Sequence, residues 1–153
     1  MGPDGRTDRT FSVAVGERPA LLLTALAELL RRGGIAVTST ATSPAALERR
    51  LRRDTPDVVL VDAALGTGEA PLAFVEGLRR AAPGIAVVVL VDELTPALAH
   101  AALDHEVAGV VLGSGEVEDI AASLAQVAAG HSVFPPGWLA AVHRAQNQSL
   151  FAR

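Results

Sequence analysis

The chain has no cysteine, no lysine and no tyrosine. Without cysteine it has no disulfides and no thiolate chemistry, which suits a cytoplasmic protein. Without lysine, all 13 basic side chains are arginines. No apolar run approaches the roughly 18 uninterrupted residues of a membrane span. Residues 1–9 are polar and rich in Gly, Asp and Arg, and they lack the apolar stretch of a secretory signal. They read as a disordered leader. A net charge of −4 argues against a direct nucleic-acid footprint, because phosphate binding favours a basic surface. What is abundant is apolar surface. Half of the 153 residues are hydrophobic, enough for the core of one ordinary domain with a short tail.

Strand and helix patterns alternate along the chain. Short apolar, β-branched runs occupy residues 11–15, 35–39, 58–61, 85–91 and 109–112. Between them lie helical patterns. The first, 19–32, carries Leu22, Leu26 and Leu29 at helical spacing and stops at Gly33-Gly34. The second opens at Ser43-Pro44 and runs to about Arg53, with Glu48 placed to relieve Arg52 at i,i+4. The third spans 71–81, and the fourth opens at Thr95-Pro96 and ends near Asp104. The fifth follows Gly113-Ser114-Gly115, a turn plus a serine cap, and ends near Ala129 before Gly130. Continuous apolar strands between amphipathic helices predict an α/β fold of (βα)5 type: a five-stranded parallel sheet covered on both faces, in flavodoxin-like order 2-1-3-4-5. Residues 10–130 form this domain; 131–153 read as a linker containing a short helix over 138–146.

Ligands of such sheets bind beyond the carboxyl ends of the strands. That edge collects Gly16-Glu17 from the first strand, Asp62 from the third, Asp92-Glu93 from the fourth and Gly113-Ser114 from the fifth. Acids from distant positions therefore converge, and Glu17 with Asp62 are candidate ligands for Mg2+, which takes one or two carboxylates plus waters. Glu17 also stands where it would cap the first helix. The glycine-rich stretch Gly66-Thr67-Gly68 matches neither a phosphate loop nor a dinucleotide fingerprint, and the four histidines show no metal spacing. No nucleophile with its base is present, so an enzyme is not expected.

The stretch PDVVLVD ending in Asp62, the VAGVVL before the fifth helix, the AAG after it, the Glu17-Arg18-Pro19 that opens the first helix and the terminal SLFAR together resemble the NarL/FixJ (LuxR-type) response regulators with a CheY-like receiver domain. The resemblance implies that Asp62 is the phosphoacceptor of a histidine kinase, that Mg2+ is the cofactor, and that the tail leads to a C-terminal DNA-binding helix-turn-helix domain absent from these 153 residues. It also exposes losses. One of the paired metal-binding acids has become Gly16, the hydroxyl residue after the fourth strand is Val91, the lysine after the fifth is Gly113, and the aromatic of the fifth strand is Val110. A phosphoaspartate of charge about −1.5 to −2 needs charge-assisted donors, and a switch needs a two-state element to bias. The expectation is an atypical receiver domain, largely independent of phosphorylation. It would act through dimerisation, by helices one and five or four and five, or through ligand or partner binding. The alternative is a working phosphoacceptor using Asp62 and Mg2+.

Overall fold

The computed structural model describes residues 11–66 and 70–151. The leader 1–9, Thr67 and Gly68 of the glycine-rich loop, and the last two residues of SLFAR lie outside them. The apolar runs pair as one parallel sheet: β1 (Ser12–Gly16), β2 (Ala36–Ala41), β3 (Val58–Asp62), β4 (Ala86–Val91) and β5 (Gly109–Leu112). Their order is β2-β1-β3-β4-β5, as expected. The helices are α1 (Ala20–Arg32), α2 (Pro44–Arg53), α3 (Val75–Ala81), α4 (Pro96–Asp104), α5 (Val117–Ala128) and α6 (Trp138–Phe151). None of them is long and apolar enough to cross a membrane.

The strands are apolar throughout because both faces are covered, and successive side chains point to opposite sides. Val59 and Val61 of β3 meet Leu47 and Leu51 of α2 and Leu78 of α3 on one side. Val58 and Leu60 meet Leu30 of α1 and Leu124 of α5 on the other. The inner face of α1 takes Leu23, Leu26, Ala27 and Leu30, while Leu22 and Leu29 stay substantially exposed.

Element ends depart from the sequence pattern for local reasons. α3 begins at Val75, not at Pro71, because Leu72 adopts a left-handed conformation (φ 62°) with its side chain buried, and a turn replaces the first helical residues. Ile35 belongs to the closure of α1, not to β2. Its N–H bonds Leu30 O, and the Gly34 N–H bonds Arg31 O, the paired bonds of a Schellman closure. The cap of α5 is Glu116, with no side-chain hydrogen bond, so Ser114 does not cap. Glu48 makes no ion pair with Arg52 among the described residues; its carboxylate lies against Gly77 of α3, near Arg80.

The segment after α5 is packed. Val133 forms a one-residue parallel bridge to Gly109 on the outer edge of β5, with Val110 N donating to Val133 O at 2.9 Å. A Cβ at Gly109 would stand 2.9 Å from that carbonyl, so only glycine lets the backbones approach. Pro135 and Pro136 follow, and their missing N–H groups end the edge pairing. Phe134 stacks on Trp138 (centroids 4.3 Å apart), and both pack on the cluster that contains Val91 and Val110. α6 runs five residues past the expected end at 146 and lies against α4, with Ala141 and Ala145 buried.

Candidate functional site

Glu17 follows β1, Asp62 closes β3 and Asp92 follows β4, and the three carboxylates line one cavity of about 250 Å3 at the carboxyl edge of the sheet. Gly113, after β5, lines it too, as do Leu22 and Leu29 of α1. Glu93 and Ser114 do not.

Glu17 is the one buried charged residue among those described, with 1% of its surface exposed. Its N–H donates to Ala41 O, anchoring it to β2, and its Oε1 accepts from Arg18 N at 2.8 Å. It does not cap α1: that bond goes to its sequence neighbour, and the cap residue is Pro19. Oε2 is buried without a donor. A carboxylate in that position holds its proton. Burial first, then the contact with Asp62 and the charges of Asp62 and Asp92, raise the Glu17 pKa to about 7, against the lowering effect of the Arg18 N–H. Once protonated, Glu17 becomes a donor toward Asp62. Asp62 is partly exposed, and its Oδ1 accepts from Ala64 N at 2.7 Å, capping the 3-10 turn Ala63–Leu65.

The four positions at which the resemblance implies losses are Gly16, Val91, Val110 and Gly113, each with its own surroundings. A Cβ on Gly16 would stand 2.9 Å from Leu47 Cδ2 and 3.0 Å from Leu65 Cδ2, so apolar side chains fill the place of a second acid. Val91 and Val110 are buried in the core and offer no side-chain donor. Gly113 is exposed and its N–H bonds Val91 O; a Cβ there would meet Asp92 Oδ1 at 3.6 Å, an ordinary contact.

Two residues acquire roles that the sequence reading did not assign. Arg18 reaches across the edge, its guanidinium donating to Ala64 O at 2.8 Å, so the loops after β1 and β3 are tied together. Asp57, of the PDVVLVD stretch, clasps the start of β1: Ser12 N donates to its Oδ2 at 2.8 Å, and Asp57 N donates to Ser12 O at 3.0 Å. Its place at the opposite end of β3 from Asp62 was the available signal. His105 binds Glu76 at 2.7 Å, and that contact holds the Glu76 pKa below its usual value; neither residue is near the cavity lining. Among the described residues, no three His, Cys, Asp or Glu side chains converge on one metal position. Glu17 and Asp62 fit a two-carboxylate Mg2+ site completed by waters, provided that the ion displaces the proton of Glu17.

No protein-family model and no curated protein matches the chain. Solved structures do. A structure of two RcsB dimers bound to two parallel DNAs superposes with a TM-score of 0.75 at 20% identity, covering 88% of this chain and 69% of that one. The isolated REC domain of RcsB from Salmonella enterica serovar Typhimurium, in the presence of phosphomimetic BeF3-, gives 0.73 at 20% identity, covering 87% and 99%. A LuxR-family two-component response regulator from Aurantimonas sp. SI85-9A1 gives 0.75 at 19%, covering 90% and 99%. At these identities the likeness is one of fold. The chain has the CheY-like receiver fold of response regulators.

Proposed function

We propose that this chain is an atypical receiver domain that controls a LuxR-type DNA-binding domain in a cytoplasmic transcription regulator, with little dependence on phosphorylation. It is regulatory, not catalytic. The observation that carries this reading is the occupied space at Gly16. A second acid there would have to displace the methyls of Leu47 and Leu65, and Glu17 holds a proton against Asp62. Around the same aspartate, Val91 provides no hydroxyl and Gly113 no cation, so a phosphoryl group on Asp62 would lack the donors that hold it. Control then passes to association. The α1 face exposes Leu21, Leu22 and Leu29, and α5 exposes Ala122 and Ala125. α6 already lies on α4, which favours a homodimer through α1 and α5 over one through α4 and α5. Incubation with acetyl phosphate and Mg2+ tests the reading by mass spectrometry. Asp62 should stay unmodified; a stable added phosphoryl group that disappears in Asp62→Asn would overturn it.

A second reading has one observation in its favour. Asp62 remains accessible beside Glu17, whose orphaned Oε2 is an acceptor that a cation would satisfy. A phosphoacceptor using Asp62, Glu17 and Mg2+, served by a histidine kinase, would use that pair. The same labelling experiment separates the two.

A further inference from the structure

The cavity holding the three carboxylates does not stop at the sheet edge. It continues between α1 and α5, where its walls are Leu22, Leu26 and Leu29 on one side and Val117 and Ile120 on the other. One end is anionic, and the rest is apolar and open to solvent. The anionic end contains an unpartnered acceptor, Glu17 Oε2, on a side chain 1% exposed. No side-chain cation among the described residues pairs with Glu17, Asp62 or Asp92, and the guanidinium of Arg18 is held at Ala64 O. Gly113 leaves the floor beside Asp92 clear of any side chain.

We propose that this cavity binds a small organic ammonium ion with an apolar body, its charged end taking the place of the Glu17 proton between Glu17 and Asp62, with Asp92 nearby, and its alkyl or aryl part lying on Leu22, Leu29 and Val117. The apolar walls on α1 and α5 favour such a ligand over a bare metal ion, which would use only the anionic end. At about 250 Å3 the cavity lies just below the usual range of roughly 300–1,000 Å3 for drug-sized ligands, so the ligand is compact. Ionised Glu17 is costly to bury, and a charge-assisted bond from the ammonium, in place of the proton, offsets that cost. The inference rests on the phosphorylation-independent reading only in that it leaves Asp62 free to bind the ligand.

The probe is 2-phenylethylammonium, titrated into the whole chain by amide NMR, with 2-phenylethanol as its uncharged counterpart. The expected dissociation constant is roughly 0.1–1 mM, with the alcohol at least about tenfold weaker. Shifts should map to Glu17, Asp62, Gly113, Leu22 and Val117. Gly113→Lys, whose side chain has room beside Asp92, should abolish amine binding by putting an internal ammonium in its place, while Gly113→Ala should retain it. The same titration on Leu21→Glu keeps self-association out of the readout. Equal binding of amine and alcohol, no shifts at 10-fold excess over the expected constant, or wild-type affinity in Gly113→Lys would each overturn the proposal. Its failure would leave the Asp62 labelling result untouched, and labelling of Asp62 would leave a positive amine titration standing.

Discussion

At the scale of single residues, Glu17 sets the strongest dependence on conditions. Its folded pKa, about 7, lies above the ordinary 4.5, so the folded state binds this proton more tightly than the unfolded state does. Stability from this group is therefore complete below about pH 4.5 and is lost as pH rises through 7. The ionised form costs on the order of 3 kcal/mol. Glu17→Gln removes the titration. Thermal unfolding of this variant should be nearly flat between pH 5 and 8 where the parent loses stability, so its advantage is greatest at pH 8; parallel profiles would refute the assignment. Gly16 makes the complementary case. Gly16→Asp forces a Cβ against Leu47 and Leu65 and buries a carboxylate, and should destabilise by about 2 kcal/mol or more, read from urea unfolding. Unchanged stability would mean that the space is not closed.

At the scale of elements, three helices end with the same paired bonds. α1 and α5 place Gly34 and Gly130 at the left-handed position, whereas α4 places Glu106 there, with φ 53°. A non-glycine residue in this conformation costs roughly 1 kcal/mol. Glu106→Gly should therefore raise the melting temperature by about 2–4 °C, as the size of the chain dictates, because its backbone bonds to Leu103 and Arg79 do not need the side chain. A lower melting temperature would show that the Glu106 side chain contributes something that the helix end does not explain. The order of strands and the cores of the helices were legible because apolar periodicity survives in any context where both sheet faces are covered. The start of α3 was not, since Leu72 turns left-handed to bury its side chain, and no local propensity announces that choice. Nor was the docking of α6: a pattern with Trp138, Ala141 and Ala145 on one side reads as a weakly amphipathic linker until α4 supplies its partner surface. The candidate site followed the same division. Placing Glu17, Asp62 and Gly113 at one edge needed only strand order, but the burial of Glu17 appears only in the packed fold, and the filling of the space at Gly16 depends on Leu47 and Leu65, remote in sequence.

At the scale of the whole molecule, the receiver fold is present, and the proposed loss of switching rests on packed apolar groups at the strand ends. Val91 and Val110 are both buried, and the aromatic pair Phe134 and Trp138 packs on their cluster. The proposed association would use the exposed face of α1. Replacing Leu21, 81% exposed, by glutamate should shift a dimer to monomer in light scattering without altering the melting temperature of the fold; an unchanged mass would remove α1 from the interface. The most direct measurement is of the switch itself. Amide NMR spectra recorded with Mg2+, and then with Mg2+ plus beryllofluoride, report any rearrangement that a phosphoryl mimic on Asp62 would drive. A pocket that no longer switches predicts no change around Asp62, Val91 and Val110 at millimolar additive. Broad shifts spreading from Asp62 to Val110, abolished in Asp62→Asn, would show that the phosphorylation switch persists.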